Sequence, residues 1–406
     1  MFDPDSIIAG LEIGTSKVCA VVGEVNVAGA LNIIGLGQAR SRGVRKGEIA
    51  DASTAAEDIR AAVVEAEQMA DAEIRSVYLG VTGGHIRGFS NRGVHPVVSA
   101  DREITHEDVE DVIKNAKAIN LPAENYVLHA IRQHFLVDGQ DGITDPVGML
   151  GARVEVDMHV VHGNFNRLQN PIRAVKGLQL EVEAIVFNGL ASALALLSNE
   201  QKELGALVID IGGGTTEYVV YNGGIIKHVG VLAVGGDHMS NDLAYGLRVP
   251  LSKAEELKVQ HGAAWADPND KGQTVTLNNE LGVSAKGVNL EHLRRIMALR
   301  LEETLALIQQ ELSDANLLEF LRAGVLICGG GARIPGIQQL AEQIFGLPAT
   351  LGKTSSIAGL KSALDQPEFA TAIGLMKFGS FQQKKKSRHS LGRVLRETFG
   401  GLLGRR

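Results

Sequence analysis

The chain predicts an α/β fold of two similar halves that face each other across a phosphate-binding cleft, and three short segments predict it. Residues 208–217 read Val-Ile-Asp-Ile-Gly-Gly-Gly-Thr-Thr-Glu, and residues 10–17, Gly-Leu-Glu-Ile-Gly-Thr-Ser-Lys, repeat the design nearly two hundred positions earlier. Each copy has an apolar strand, one carboxylate (Glu12, Asp210), glycines, hydroxyls (Thr15 and Ser16, Thr215 and Thr216) and a second β-rich run. Glycines bring backbone N–H groups close to an anion, hydroxyls add donors, and a carboxylate at a strand end can hold a hydrated Mg²⁺. A lone copy reads equally well as an unliganded hairpin turn. Duplication, together with a third segment at 325–336, Val-Leu-Ile-Cys-Gly-Gly-Gly-Ala-Arg-Ile-Pro-Gly, favours a nucleotide, because bare backbone after a buried strand suits a flat base or ribose.

Between these segments the elements follow in order. Apolar, β-branched runs predict strands at 7–13, 17–25, 30–38 and 76–82, with a helix at 53–69. From 85 to 162 the texture changes to that of an inserted subdomain. It has a polar stretch, a Thr105-His-Glu-Asp capping signal opening a helix to about 119, strands at 126–135 and 151–161, and a loop at 138–142. A helix around Ile172, a strand at 180–186 and the small-residue helix 189–197 close the first half. In the second half, Val234-Gly-Gly-Asp introduces a helix with Asp237 near its start, and 251–262 reads as a helix capped by Ser252 and ending on glycine. Strands near 274–276 and a long amphipathic helix at 290–312 form a second insertion, and a further helix starts near Pro335.

Composition bounds the function. No stretch reaches the roughly 18 uncharged apolar residues of a spanning helix, and the acidic start Met-Phe-Asp-Pro-Asp is unlike a secretory signal, so a cytoplasmic protein is expected. Cys19 and Cys328 lie in apolar strands far from any metal-ligand spacing and read as buried free thiols. Net charge is −7, yet residues 384–406 carry eight basic side chains against Glu397 alone, a net +7 that leaves −14 on the remaining 383. An acidic body with a basic tail calls for an anionic partner at the tail.

That tail places Leu391, Val394, Leu395, Phe399, Leu402 and Leu403 on one helical stripe, with Arg393 and Arg396 on the other side. Docking on the body and nucleic-acid binding are the rival readings. Without aromatic-basic interleaving to stack bases, a membrane surface is favoured and no nucleic acid is expected. Half-burial of six apolar side chains is worth roughly 5–9 kcal/mol, much of it offset by ordering, so one tail binds reversibly and a polymer carrying many tails binds durably.

Taken together, Asp210-Ile-Gly-Gly-Gly-Thr-Thr-Glu, Lys258-Val-Gln-His-Gly, Leu326-Ile-Cys-Gly-Gly-Gly-Ala-Arg-Ile-Pro-Gly and the amphipathic tail resemble the FtsA family, the actin-like proteins of bacterial cell division, essentially end to end. The resemblance implies an actin-like ATPase fold of duplicated ribonuclease-H-like halves that binds ATP with Mg²⁺, polymerises, and ties the tubulin-like FtsZ to the cytoplasmic face of the inner membrane at the division site. It divides the chain into a first lobe (1–84 and 163–197), the inserted FtsA-type subdomain (85–162), a second lobe (198–245 and 322–379) with its own insertion (246–321), a basic linker (380–389) and the membrane helix (390–406). Carried over by position, Gly14, Thr15 and Ser16 form the first phosphate loop. Asp210, Gly212, Gly213, Gly214, Thr215 and Thr216 form the second, and Gly329, Gly330 and Gly331 form the adenosine floor. Glu12 and Asp210 hold Mg²⁺ through water.

Glu255 and Lys258, three apart on one helix face, either meet the ribose or form an exposed ion pair. Lys17 either reaches a phosphate or faces water. Arg300, with Arg295 beside it, matches the basic surface that receives the acidic C-terminal peptide of FtsZ, although an ordinary solvated helix face would look the same. Two departures bear on chemistry. Glu12 stands where the superfamily usually has Asp, and Asn188 stands where its kinases offer an acid. An amide is no general base, so slow or absent hydrolysis is expected. The rival functions are a phosphotransferase of the same superfamily and a pilus-assembly actin relative.

Overall fold

A computed structural model describes residues 7–25, 31–277, 286–354, 358–359 and 366–384. The first lobe opens with an antiparallel meander, β1 (Ile7–Ile13), β2 (Lys17–Val25) and β3 (Leu31–Arg40). A two-residue turn joins the short β4 (Val44–Arg45) and β5 (Glu48–Ile49), and α1 (Ala52–Ala70) follows, its first turn capped by the Asp51 carboxylate accepting from Thr54 N–H at 3.1 Å. Alanines 55, 62, 66 and 70 line the buried stripe of α1. They settle onto β3 because glycines there let the backbones approach: a Cβ on Gly37 would lie 1.9 Å from the Ala62 carbonyl oxygen. The chain returns through β6 (Ser76–Val81), parallel to β1.

The inserted subdomain follows. It comprises β7 (Arg87–Pro96), α2 (His106–Lys117), β8 (Asn125–Val137), β9 (Gln140–Ile143) and β10 (Arg153–Asn164), in the sheet order β7-β10-β8-β9 with α2 packed on one face. Thr105 and Asp108 form the expected capping box. Two expectations change here. The polar stretch after His85 is the strand β7, recruited by ten paired positions on β10. The segment 138–142 is not a loop throughout, since Asp138 and Gly139, both with positive φ, make a tight turn and Gln140 already pairs with Val137.

The first lobe closes with α3 (Phe165–Lys176), β11 (Glu181–Phe187) and α4 (Asn188–Leu196), and α5 (Asn199–Leu204) leads into the second. The second lobe repeats the plan with β12 (Ala206–Ile211), β13 (Thr216–Asn222), β14 (Ile225–Leu232), α6 (Gly236–Leu247) and α7 (Leu251–His261). Helix α7 starts after Pro250, which cannot donate and sits at the first non-helical position; Ser252 lies inside the first turn and makes no cap, contrary to expectation. Then come β15 (Thr274–Leu277), β16 (Lys286–Asn289), the 25-residue α8 (Leu290–Asp314), β17 (Val325–Cys328), α9 (Ile337–Phe345), β18 (Ala349–Leu351) and β19 (Ala358–Gly359). A last helix, α10, spans 370–384, so the segment expected as a linker from 380 begins as helix; Ser380 is buried and its hydroxyl donates to the Lys377 carbonyl. The amphipathic stripe 391–403 lies outside the described residues.

The sheets state the duplication. The first runs β3-β2-β1-β6-β11, with β19 added beyond β3, and the second runs β14-β13-β12-β17-β18. In both, a meander's first strand pairs in parallel with the strand that ends at the site. One apolar core fills the first lobe and continues onto one face of the second sheet, through Val208, Val219 and Leu326, and a second core packs on that sheet's other face.

Candidate functional site

Both glycine turns close with the same hydrogen bond. Gly14 N–H donates to the Lys17 carbonyl at 3.0 Å, and Gly212 N–H donates to the Thr215 carbonyl at 2.9 Å. The first amides of α6 then hold the second turn from behind, Gly236 N–H on the Gly212 carbonyl (3.0 Å) and Asp237 N–H on that of Gly213 (2.7 Å). The turns meet each other: a Cβ on Gly213 would lie 3.0 Å from the Ser16 Cβ, and one on Gly214 would lie 2.6 Å from the Thr15 hydroxyl. Between them opens a cleft of about 590 Å³, lined by Glu12, Gly14, Thr15, Ser16 and Lys17 on one side and by Asp210, Gly212, Gly213, Thr215 and Glu217 on the other. Gly329, Gly330 and Arg333 line it after β17, and Val259 lines it from α7.

Acid and base are distributed unevenly. Lys17 faces the cleft interior, with its side chain 15% exposed, and its ammonium donates to the Glu12 carboxylate at 3.1 Å while lying over the Phe369 ring. Burial opposes the Lys17 charge, but Glu12, Cys19 and Asp210 outweigh it and hold the ammonium up to about 12; burial in turn raises the Glu12 carboxyl against the pull of Lys17. Asp210, buried at the end of β12, accepts from the Ser192 hydroxyl at 2.5 Å and the Thr371 hydroxyl at 2.9 Å. Glu217 pairs opposite Asp210 across the hairpin and accepts from the hydroxyls of Thr82 and Thr215, the latter at 2.8 Å. Burial, then the neighbouring Asp210, pushes the Glu217 carboxyl up to about 8. Asn188 begins α4 and lines the same cleft, 5% exposed, its Oδ1 without a hydrogen-bond partner among the described residues.

Not every residue singled out in the sequence reaches the cleft. The Thr216 hydroxyl turns away to the Val234 carbonyl at 2.8 Å, and Gly331 packs on Ile211. Glu255 and Lys258 form an ion pair of 2.6 Å beside the second turn, with Lys258 also donating to the Gly236 carbonyl at 3.1 Å and Glu255 accepting from Ser240. On α8, Arg300 is held by Asp242 at 2.6 Å and by Glu303, while Arg295 is exposed. Glu217, Thr82, Thr371 and Arg333 line the cleft although sequence reasoning passed over them. For Glu217 the signal was present, since the two-residue strand period puts it on the face of Thr215. Cys19 and Cys328 are free and buried.

A family model of the cell division protein FtsA matches residues 207–374, and one of the SHS2 domain inserted in FtsA matches residues 83–162. The cell division protein FtsA of Pseudomonas aeruginosa is 37% identical over 93% of this chain and 90% of that protein, and that of Escherichia coli K12 is 36% identical over 92% and 90%. This chain belongs to the FtsA family. As an FtsA family member it has an actin-like cell division role, as the sequence motifs implied. Two solved structures share the FtsA member's fold. One is the PilM–PilN type IV pilus biogenesis complex, with a TM-score of 0.65, 18% identity, and coverage of 92% of this chain and 98% of that one. The other is MreB5 of Spiroplasma citri bound to ADP, with a TM-score of 0.57, 16% identity, and coverage of 95% and 99%. The fold of this FtsA member is therefore actin-like, with an inserted SHS2 domain.

Proposed function

We propose that this FtsA family member binds ATP with Mg²⁺ between its lobes, polymerises, and tethers FtsZ filaments to the cytoplasmic face of the inner membrane at the division site. The contact between the two glycine turns around one shared cleft is the observation that carries this reading. In support, structures of MreB5 contain ADP and AMPPNP. The phosphates would lie against Gly14, Thr15, Ser16, Gly212 and Gly213, with Lys17 available to them, and adenosine would lie on Gly329 and Gly330 between Val259 and Arg333. Glu255 and Lys258 stand at the ribose edge.

The donor set suits Mg²⁺. Asp210 and Glu217 face each other at the second turn with Glu12 in the same gap, a crowding that keeps a proton on Glu217 in the nucleotide-free protein and that a dication would relieve. Among the described residues no three ligating side chains converge to cage a metal directly. That arrangement fits an ion that keeps its waters and borrows phosphate oxygens. Hydrolysis should be slow, because Asn188, which begins α4 at the cleft, cannot take a proton.

No helix among the described residues is long and apolar enough to cross a membrane. Attachment therefore falls to Leu391, Val394, Leu395, Phe399, Leu402 and Leu403, flanked by Arg393 and Arg396. The exposed Arg295, and Arg300 once it exchanges Asp242 for a peptide carboxylate, would receive the FtsZ tail. The domain division stated above is proposed with the same boundaries, except that helix α10 continues to 384 and that β19 and α10 pack on the first lobe's sheet. Co-sedimentation with anionic vesicles in labelled ATP and Mg²⁺ tests the whole. The full chain should pellet with bound ATP, and a chain ending at 389 should keep its ATP but stay in the supernatant. Pelleted protein without nucleotide would sink the cleft reading, and equal pelleting of both chains would sink the tether.

A further inference from the structure

The short hairpin between β3 and α1 occupies a place that the proposed binding of ATP does not by itself explain. Its two turn residues, Lys46 and Gly47, both have positive φ (50° and 76°), the conformation of a tight two-residue hairpin, in which a lysine at the first position is uncommon. The base is fixed to the start of α1, where the Ala50 and Asp51 N–H groups both donate to the Gly43 carbonyl, at 2.8 and 3.0 Å. The tip is laid across both phosphate turns. Gly47 N–H donates to the Thr15 hydroxyl of the first turn at 2.9 Å. Lys46 backbone closes on the second, since a Cβ on Gly214 would lie 2.7 Å from the Lys46 Cα. A Cβ on Gly47 would lie 2.6 Å from the Thr82 methyl and 3.2 Å from that of Thr215, the two threonines whose hydroxyls hold Glu217. The hairpin thus touches both lobes at the phosphate end of the cleft.

The tip also carries unspent charge. Arg45 and Lys46 are exposed, and among the described residues no carboxylate pairs with either. Their fields still reach the start of α6, where Lys46 helps lower the His238 imidazole and Arg45 acts on the Asp237 carboxyl. Two exposed cations on a tip whose backbone lies across both phosphate turns offer charge to an anion bound between those turns.

The other end of the hairpin leads elsewhere. Glu48 accepts from Arg167 at 2.8 Å. Arg167 lies in the first turn of α3, where the chain comes back from the inserted subdomain, and a Cβ on Gly83, where the chain leaves for it, would lie 3.2 Å from the Glu48 carboxylate. The two crossings are tied together, with Asn164 N–H donating to His85 Nδ1 at 3.1 Å.

We propose that the Arg45–Glu48 hairpin is a strap that senses the terminal phosphate of the bound nucleotide and passes its presence to the inserted subdomain through the Glu48–Arg167 ion pair. The inference rests on the nucleotide reading of the cleft. A triphosphate reaches the Lys46 tip and a diphosphate stops short. Closing the tip on the added charge moves Glu48, and with it both roots of the subdomain, which is the order-by-phosphate logic of switch segments in general.

Calorimetric affinities for ATP and ADP, combined with amide hydrogen exchange in each nucleotide, test this on the full chain. In Lys46→Met, ATP affinity should fall about tenfold while ADP affinity changes less than about twofold. In Arg167→Gln, both affinities should stay within about twofold of the parent, yet the difference in exchange between ATP and ADP over residues 87–96 and 153–164 should disappear. The charge-swapped pair Glu48→Arg with Arg167→Glu should restore that difference. Equal weakening of ATP and ADP in Lys46→Met, or an undiminished difference in Arg167→Gln, would overturn the strap while leaving the cleft reading intact. A parent protein that binds neither nucleotide would remove the cleft reading and the strap together.

Discussion

The two phosphate hairpins share a backbone and differ in their chemistry. Counted from the strand carboxylate, Glu12-Ile-Gly-Thr-Ser-Lys-Val-Cys19 and Asp210-Ile-Gly-Gly-Gly-Thr-Thr-Glu217 have the same length, the same closing hydrogen bond and the same cross-strand register, Glu12 opposite Cys19 and Asp210 opposite Glu217. Superposition by register puts Lys17 against Thr215 and Cys19 against Glu217. The first copy therefore couples one acid to one ammonium at 3.1 Å, whereas the second sets two acids face to face with hydroxyls and no lysine. Duplication kept the geometry that presents N–H groups, and under the proposed function divergence would divide the remaining work between a cationic side toward phosphate and an acidic side toward the metal.

The asymmetry is sharpest under removal of charge alone. Asp210→Asn should cost about a hundredfold in Mg²⁺-dependent ATP affinity, roughly 2.7 kcal/mol, because the acidic side loses the carboxylate that orients the hydrated ion. Glu12→Gln should cost less than about tenfold, since Lys17 is released toward the phosphates as its partner is neutralised. Titration calorimetry with and without Mg²⁺ separates the two. Equal losses would break the division of labour.

A second test uses protons in the nucleotide-free protein. Folding lifts the Glu217 carboxyl to about 8 from the ordinary carboxylate range, so between about pH 4.5 and 8 the folded chain keeps a proton that the unfolded chain releases. Its contribution is complete below the lower value and is lost as pH rises through the upper one. Stability should therefore decline over that window, and Glu217→Gln should flatten the decline, making the variant the more stable protein at pH 8 in thermal unfolding. In the first hairpin the facing residue adds nothing in this window, because Cys19 is a buried thiol pushed up to about 12, and the Glu12 carboxyl, raised by burial against the pull of Lys17, adds a decline of the same sign. A slope that survives in Glu217→Gln would assign it to other groups.

These contrasts mark what could be read from residues alone. Strands such as β1 and β17 are legible because each is a largely apolar run leading into glycine, and α2 because Thr105 and Asp108 cap it. Strand β7 is not, because Arg87–Pro96 is largely polar and becomes a strand only by pairing with β10, a long-range event with no local signature. Ser252 misleads for a related reason: a serine three residues before Glu255 looks like a capping box, but Pro250 ends the extended chain two residues earlier. At the site, the glycine turns announce themselves through composition. Their contact, the Lys17–Glu12 pairing and the aim of Glu217 depend on the register of two hairpins brought together across the molecule.

Register also decides among the hydroxyls, and here the expected effects are smallest. Read as a duplicated motif, Ser16 and Thr216 are equivalent donors to phosphate. In the folded hairpins Ser16 lies within the turn and lines the cleft, whereas Thr216 is the first residue of the returning strand and donates to Val234 just before the residues that open α6. Ser16→Ala should lower ATP affinity about fivefold with little change in stability. Thr216→Val should leave affinity within about twofold and destabilise by about 1 kcal/mol, because the Val234 carbonyl loses its donor while the shape is kept. Binding and urea unfolding on the same two variants separate these effects. A fivefold affinity loss in Thr216→Val would mean that the hydroxyl leaves Val234 for the nucleotide, and the two copies would then be alike in donors as well as in backbone.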